Sequence, residues 1–291
     1  MASTGHKDKI TQHTFKGVLY DSVFPAEVLE KIQDFQFESS DVLVAGYPKT
    51  GTTWLQEIVW LIENEADTET AASTPIMARC PLMELQIPGK ASNFENLCEK
   101  PSPRIMNTHL QYGLMEKGLE KGRPKVIVIL RNPKDSLVSY YHFYNTRKGF
   151  ETIPTFSKFF ELFKEKQLVF GDWFDHAKGW YEQKGLDNFH VICYEEMKAD
   201  HAGSVRRLAE FLEKDLNEAQ VQRIVEHTSL KSMKGRKSAK MGSEDAKAVV
   251  DESKSAFVRK GVVGDWKNHF SEKESDYVDE LLSKVCLPYD E

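Results

Sequence analysis

The segment GYPKTGTT, residues 46–53, combines residue types that can hold an anion. It follows a short apolar run, Val42 to Ala45, and precedes a stretch of helical periodicity that begins at Thr52. A turn between a strand and a helix points backbone N–H groups outward at the helix N-terminus, where the helix dipole favours negative charge. Lys49 adds a cation within the turn. The segment therefore predicts a phosphate-binding loop, although a plain structural turn can have the same pattern.

The glycines of this turn, Gly46 and Gly51, are spaced as in the phosphate loop of nucleoside triphosphatases, which follows the pattern GxxxxGK[ST]. Here Thr52 and Thr53 follow the second glycine, and the cation, Lys49, lies inside the turn. In addition, the later apolar run VIVIL ends in an arginine, where such an enzyme places a magnesium-binding Asp. The pattern therefore predicts phosphate binding without a metal.

Two further segments could each bind a second anion. In VILRNPKDSLVSYYHF, Arg131 follows an apolar run, at the edge where open parallel sheets bind ligands, and Ser139 lies about two helical turns further on. In FVRKGVVGDWKNHF, residues 257–270, two adjacent cations precede a glycine, which suits a phosphate clamp. A salt-bridged arginine and a solvated basic patch are the alternatives. Together, these segments suggest a nucleotide that carries phosphate at both ends.

The elements that must position these residues alternate along the chain. Apolar runs of strand length are Val42 to Ala45, Arg104 to Met106, Val126 to Leu130 and Phe189 to Cys193. Segments of helical periodicity are Ala26 to Phe35, Thr52 to Glu63, Pro133 to Arg147, Thr155 to Lys166, Ala202 to Lys214 and Glu218 to His227. This alternation predicts an α/β fold with a parallel β-sheet flanked by helices on both faces.

The bulk properties exclude several classes of protein. A chain of 291 residues with α/β alternation fits one domain, residues 1–291, and a net charge of −6 argues against nucleic-acid binding. No stretch approaches the ~20 apolar residues of a membrane span or the apolar core of a signal peptide, which predicts a cytoplasmic protein. The four cysteines show neither metal-ligand nor disulfide spacing. Residues 235–256 are rich in charged and small residues, which predicts a mobile lid loop or a plain surface insertion.

The motifs together resemble those of the cytosolic sulfotransferases over nearly the whole chain. YPKTGTTW resembles their 5′-phosphosulfate loop, RNPKDSLVSYYHFY their 3′-phosphate strand and helix, and RKGVVGDWKNHF their C-terminal motif. The resemblance implies a single domain with a fold like that of the P-loop nucleotide kinases. It also implies transfer of a sulfonate from 3′-phosphoadenosine 5′-phosphosulfate (PAPS) to a hydroxyl or amine of a small, largely apolar acceptor, without a metal and with PAP as product.

The resemblance assigns residues of this chain to the cofactor. The 5′ end would be held by Lys49, Thr50, Gly51, Thr52 and Thr53, with Trp54 stacking on adenine. The 3′-phosphate would be held by Arg131, Ser139, Arg259, Lys260 and Gly261. The remaining cofactor positions would be Tyr194, Thr228, Ser229, Leu230, Met233, Phe257 and Val258. Leu230 stands where the family usually has Phe, which would weaken stacking on the adenine.

The catalytic roles also follow from the resemblance. His109, in RIMNTHLQ, matches the family's general base, and a neutral imidazole can accept the proton of an attacking hydroxyl. Lys49 would stabilise charge on the departing phosphate, and Ser139 completes the catalytic set. Two alternatives from other classes are a magnesium-dependent nucleotide kinase and a PAPS- or PAP-binding protein without turnover.

Around the acceptor and the subunit interface, the sequence departs from the family. The family reads Lys-Thr-His-Leu-Pro at its base, whereas here Asn107 precedes Thr108 and Gln111 replaces the proline. The expected acceptor-binding residues are Phe24, Leu82, Leu85, Asn107, His109 and Phe143. They leave a phenol, a sterol and an aliphatic alcohol open as acceptors. The family's dimer motif, Lys-x-x-x-Thr-Val-x-x-x-Glu, reads KNHFSEKESD here, and the charge in place of its valine predicts a monomer or a weak homodimer.

Overall fold

A parallel four-stranded sheet forms the centre of the fold in the computed structural model, which describes residues 10–236, 238–239, 249–251, 253–255 and 258–289. The strands are β1 (Gln12–Phe15), β2 (Val18–Asp21), β3 (Val42–Ala45), β4 (Ile105–Thr108), β5 (Lys125–Leu130) and β6 (Phe189–Cys193). The central sheet has the order β4-β3-β5-β6, and β1 and β2 form a separate antiparallel hairpin.

Helices cover the sheet and follow its strands. They are α1 (Ala26–Ile32), α2 (Thr52–Glu63), α3 (Thr68–Ser73), α4 (Ile76–Arg79), α5 (Asn93–Glu99), α6 (Glu116–Gly122), α7 (Pro133–Tyr144), α8 (Phe156–Lys164), α9 (Trp173–Tyr181), α10 (Tyr194–Ala199), α11 (His201–Phe211), α12 (Glu218–His227), α13 (Leu230–Gly235) and α14 (Glu272–Leu282). Short 3₁₀ turns span Tyr112–Leu114 and Asp265–Asn268. No helix in the described part of the chain is long and apolar enough to cross a membrane.

The sheet is buried on both faces. Successive side chains of a strand point to opposite faces, and β3 accordingly divides its residues between two apolar clusters. Leu43 and Ala45 belong to one cluster, while Val42 and Val44 belong to the other. Strands that are buried on both sides have continuous runs of apolar residues, and these runs allowed the strands to be predicted from the sequence. The predicted single α/β domain with a helix-flanked parallel sheet is confirmed.

The register of the sheet brings the strand ends together. β3 lies between β4 and β5, and Ala45 pairs with both Thr108 and Val128. In a parallel sheet, the carboxyl ends of the strands share one edge, and ligands bind there in open α/β folds. The residues that follow these ends include Gly46, His109 and Arg131, so the predicted functional residues emerge side by side.

Several predicted element ends were wrong by a few residues. The helix expected to reach Arg147 ends at Tyr144, and Arg147 instead turns back to pair with Asp21. The helix expected from Thr155 begins at Phe156, because the Thr155 side chain caps it by accepting from Lys158 N. The hairpin of β1 and β2 was missed altogether.

Part of the predicted lid loop, residues 235–256, lies against the body of the protein. Arg147 and Val250 form an antiparallel bridge, with hydrogen bonds from Lys148 N to Val249 O (2.9 Å) and from Asp251 N to Thr146 O (2.7 Å). Residues 237, 240–248, 252 and 256 of this loop lie outside the described residues. The mobility of the loop stays a prediction.

His176, on α9, provides a test of the core. Its imidazole packs edge-on against Tyr47 (ring centroids 5.5 Å apart), and burial lowers the pKa of His176 from 6.5 to about 3. The unfolded chain therefore binds a proton that the folded chain excludes, so stability present above pH 6.5 is lost as the pH falls toward 3. We expect His176→Phe to reduce this acid loss of unfolding free energy by up to about 1.4 kcal/mol per pH unit. Urea unfolding of both proteins at several pH values measures it; parallel pH curves would contradict the assignment.

Candidate active site

A cavity of about 440 Å³ lies at the carboxyl edge of the sheet. The predicted site residues that line it are Phe24, Lys49, Gly51, Thr52, Thr53, Trp54, Leu82, Leu85, Asn107, His109, Arg131, Ser139, Phe143, Tyr194, Thr228, Ser229, Leu230, Met233, Val258, Arg259, Lys260 and Gly261. Thr50 does not line the cavity, because its hydroxyl is buried and donates to Tyr47 O (2.8 Å). Phe257 lies outside the described residues.

The loop between β3 and α2 has the geometry of an anion site. Gly51 precedes α2 with φ +105°, a conformation that favours glycine. A Cβ atom at Gly51 would also lie 2.7 Å from Cδ2 of the Tyr194 ring. The N–H groups of Gly51, Thr52 and Thr53 make no hydrogen bond to another described residue. The positive end of α2 therefore presents open donors to the cavity.

Lys49 carries a cation into this loop. Its backbone has φ +72°, and its Nζ lies 4.7 Å from the centre of the Phe143 ring. Burial, together with the positive charges of Arg131 and Arg259, lowers the pKa of Lys49 to about 7. Three cations thus share a region of low dielectric, and a bound anion would relieve their mutual repulsion.

Arg131, directly after β5, faces the same region without an ion pair among the described residues. Its Nη1 donates to Lys49 O (3.1 Å), and its guanidinium lies 4.3 Å from the centre of the Tyr194 ring. Three buried donors at this end of the cavity have no hydrogen-bond partner in the described part of the chain: Trp54 Nε1, Arg131 Nε and Arg259 Nε. Buried polar atoms are normally paired, so this set fits a polar ligand.

The C-terminal basic segment is held in place by an acid. Asp265 forms ion pairs with Arg259 Nη2 (2.8 Å) and Lys260 Nζ (2.7 Å). Although burial opposes it, hydrogen bonds from these cations hold the pKa of Asp265 well below its usual range. Both cations are therefore positioned at the cavity wall. The Arg259 side chain is largely shielded from solvent, whereas the Lys260 side chain is 49% exposed, so the solvated basic patch expected as an alternative describes Lys260 in part.

His109, directly after β4, is held in one tautomer. Its Nδ1 lies 2.6 Å from Gly46 O, and because a carbonyl oxygen only accepts, Nδ1 carries the proton. Nε2 therefore has the free lone pair of a base. Burial lowers the pKa of His109 to about 4; the hydrogen bond to Gly46 opposes this shift and the charge of Lys49 adds to it. The imidazole is neutral at neutral pH and can accept a proton.

Glu84 supports His109 and was missed by sequence reasoning. Its buried carboxylate accepts from His109 N (2.7 Å) and from Thr108 Oγ1 (3.1 Å). Burial raises the pKa of Glu84 to about 7. Glu84 thus fixes the backbone at the end of β4 and, with it, the position of the imidazole. The only signal in the sequence is a single acid within the otherwise uncharged and mostly apolar run PLMELQI.

Comparison with known proteins agrees with this geometry. The model of the sulfotransferase domain family matches residues 39–286. Sulfotransferase 1C2 from Oryctolagus cuniculus is 39% identical over 254 residues, which are 87% of this chain and 86% of the relative. The chain belongs to the sulfotransferase family. Membership of this family favours a sulfotransferase over the nucleotide kinase that the sequence left open as an alternative.

Solved structures share the fold of this sulfotransferase. Mouse sulfotransferase SULT7A1 complexed with PAP is 30% identical, with a TM-score of 0.76 and coverage of 96% of both chains. Retinol dehydratase in a complex with retinol and PAP is 25% identical, with a TM-score of 0.85 and coverage of 97% of this chain and 93% of the other. The predicted P-loop-like α/β fold is confirmed.

Asn107 and Gln111, which differ from the family pattern near His109, both form hydrogen bonds with other residues. Asn107 lines the cavity, but its Nδ2 donates to Cys80 O (2.8 Å), so its amide joins β4 to the preceding segment. Gln111 accepts from the Tyr20 hydroxyl (3.0 Å) and donates to Phe170 O (2.7 Å). Phe170 has φ +67°, and its ring meets the His109 ring edge-on at 5.4 Å. Gln111 thus secures an aromatic wall beside the base of this sulfotransferase.

Further cavity residues were missed by sequence reasoning. Those at the apolar end are Ile10, Asp21, Val23, Ile76, Met77, Tyr140, Arg147, Val169, Phe170, Val249 and Val250. Those at the end with the phosphate loop are Pro48, Gln56, Met197, Lys198 and His201. They come from segments that only the tertiary fold brings together, and for most of them no local pattern gave a signal.

The phosphate loop itself gives a prediction. We expect Gly51→Ala to lower the free energy of unfolding by about 1–3 kcal/mol, because alanine is strained at this positive φ and its Cβ would press on Tyr194. The matched control is Gly185→Ala, at a position with ordinary φ and no atom within 4 Å of a new Cβ. The control should stay within about 0.5 kcal/mol of the parent protein in urea unfolding. Equal effects of the two substitutions would argue against a constrained loop.

Proposed function

We propose that this sulfotransferase binds PAPS at the loop after β3 and transfers its sulfonate to a hydroxyl or amine of a small, largely apolar acceptor. One observation carries the proposal. A half-buried Lys49 beside open backbone donors and a neutral imidazole of His109, whose Nε2 can accept a proton, line the same cavity. The PAP complexes of the two structural neighbours support the choice of nucleotide.

The residues of the cavity fit this cofactor. Lys49, Thr52 and Thr53, with the amides of the loop and the helix N-terminus, would hold the 5′-phosphosulfate. Trp54 Nε1, Arg131 Nε and Arg259 Nε are buried donors without a partner among the described residues, and polar atoms of a bound nucleotide would satisfy them. The 3′-phosphate would be held by Arg131, Ser139, Arg259, Lys260 and Gly261.

The reaction uses the chain's own residues in three ways. When bound, PAPS supplies the sulfonate group. His109 Nε2 accepts the proton of the acceptor hydroxyl, and the Gly46 carbonyl keeps Nδ1 protonated, so that the lone pair stays on Nε2. Lys49 and the loop amides offset negative charge at the phosphate end of the cavity. Ser139 binds the nucleotide beside them. The apolar walls exclude water from the acceptor.

The proposal also covers the class of acceptor and the oligomeric state of the protein. Phe24, Leu82, Leu85 and Phe143 line the cavity beyond His109 and suit a phenol, a sterol or an aliphatic alcohol. The segment that corresponds to the family's dimer motif carries an exposed charge at Glu272, which supports a monomer or a weak homodimer. We further propose that the protein acts in the cytoplasm, as the resemblance to cytosolic sulfotransferases implies, and that residues 235–256 serve as a lid.

The direct test of function is turnover. We expect sulfonated products, detected by mass spectrometry, when the protein is incubated with PAPS and a panel of phenols, sterols, aliphatic alcohols and amines. His109→Ala should lower kcat by about 10²–10⁴-fold because the general base is lost, while PAP affinity in calorimetry is retained. The matched control is His190→Ala, on β6 and outside the cavity. A His109→Ala enzyme with most of its activity would remove His109 from the role of base.

The lowered pKa of Lys49 predicts that the affinity for PAP depends on pH. An anion favours the charged form of Lys49, so PAP binding should raise the pKa of Lys49 from about 7. Affinity for PAP should therefore fall as the pH rises above 7, by up to about tenfold per pH unit, because the bound state needs a proton that the free site has lost. In Lys49→Arg, the side chain stays charged and the slope should vanish. Calorimetry between about pH 7.5 and 9.5 measures both slopes; equal slopes would contradict a neutral lysine in the free protein.

A further inference from the structure

An ion pair forms part of the apolar end of the cavity. Arg147 Nη1 lies 2.8 Å from both carboxylate oxygens of Asp21, and the two residues are 8% and 4% exposed. Both line the cavity, although neither belongs to the phosphate region or contacts His109. The other walls at this end are mostly apolar side chains. A charged pair there has no part in the transfer chemistry described above.

The guanidinium of Arg147 is rigidly held with one side unused. It lies 3.4 Å from the centre of the Tyr144 ring and 4.3 Å from that of Phe150, and its Nε donates to Tyr144 O (3.2 Å). Nη1 is bonded to Asp21, whose Oδ1 also accepts from Gln12 Nε2 (3.2 Å). The Nη2 group makes no hydrogen bond to another described residue. Two N–H donors of a nearly buried, pre-positioned cation therefore remain available.

Folding alone gives little reason for a charged pair at this place. Replacing a buried ion pair with apolar residues of similar volume is often neutral or stabilising, because desolvation of the charges offsets their attraction. Arg147 Nη2 is not among the fully buried unpaired polar atoms of the described residues, so it is accessible, and Arg147 lines the cavity. A ligand oxygen in the cavity can therefore accept a hydrogen bond from it. Recognition of a ligand therefore accounts for features that the stability of the fold does not.

We infer that Arg147 Nη2 binds an uncharged oxygen of the acceptor molecule, such as a ketone, ester or second hydroxyl oxygen, remote from the group that receives the sulfonate. Arginine only donates, so the ligand atom must accept. The pair of Arg147 and Asp21 is formally neutral. An uncharged oxygen would accept a hydrogen bond from Nη2 without adding charge. A carboxylate would instead leave one net negative charge in a buried wall. This inference rests on the proposed function, since it specifies the acceptor.

The test compares ligands that differ only in that oxygen. We would use para-alkylphenols and their counterparts in which one methylene of the chain is a carbonyl, at successive positions. Their affinities for the protein–PAP complex are measured by calorimetry. At one carbonyl position, we expect the ketone to bind about tenfold or more tightly than its alkyl partner, as for a hydrogen bond from a charged donor. In Asp21→Leu/Arg147→Met, which removes both charges together, that preference should disappear or reverse.

The control is the buried pair of Arg104 and Asp41, which does not line the cavity. Asp41→Leu/Arg104→Met should keep the ketone preference of the parent protein. A parent protein without ketone preference at any position, or an Asp21→Leu/Arg147→Met variant that retains it, would overturn the inference. Because the readout is binding to the PAP complex, it does not require turnover. Incubation of the same phenols with PAPS tests the proposed sulfonation separately, so failure of one is distinguishable from failure of the other.

Discussion

One hydrogen bond, from Nδ1 of His109 to the carbonyl oxygen of Gly46, joins the two halves of the site. Gly46 opens the phosphate loop after β3, and His109 follows β4. Ala45 and Thr108, the residues just before them, are paired across the sheet, and Gly46 N also donates to Thr108 O (3.3 Å). The parallel register thus brings the base against the loop, and a slip of one residue would separate them.

The same arrangement couples the charges of the site. Burial lowers the pKa of both Lys49 and His109, and the charge of Lys49 adds to the shift of His109. A protein with a net charge of −6 can therefore still concentrate positive potential locally, because Lys49, Arg131 and Arg259 lie together in a region of low dielectric. Burial keeps the base neutral, and it also removes part of the charge of Lys49 in the free protein, which a bound anion would restore.

Sequence reasoning located residues that directly follow a strand end. The loop after β3 and Arg131 after β5 were expected at the sheet edge because buried parallel strands give apolar runs and their ends meet there, whereas His109 after β4 was assigned through the family resemblance. It failed where function depends on distant partners. Glu84 is recognised only by its bonds to the end of β4, and the pair of Asp21 and Arg147 joins residues 126 positions apart.

The missed hairpin of β1 and β2 has a local cause. Its turn consists of Lys16 (φ 47°) and Gly17 (φ 80°), so both central residues have positive φ, as in the tight turns favoured by hairpins. Asparagine or aspartate before the glycine would have signalled such a turn, whereas lysine does not. The hairpin matters to the site because β2 carries Tyr20, which binds Gln111, and Asp21, which reaches the cavity wall.

The two ends of the cavity are therefore built under different constraints. The phosphate end depends on backbone amides and on cations that follow successive strands, so its geometry follows from the sheet. The apolar end is assembled from side chains of β2, the end of α7, residues 169–170 and residues 249–250. Gln111 and Phe170 connect it to the base without touching the phosphate loop. The strand register holds His109 and the phosphate loop in place, whereas the side chains of Asn107 and Gln111 bond to Cys80 O and Phe170 O. Substitutions at these two positions can therefore reshape acceptor recognition while the nucleotide site stays in place.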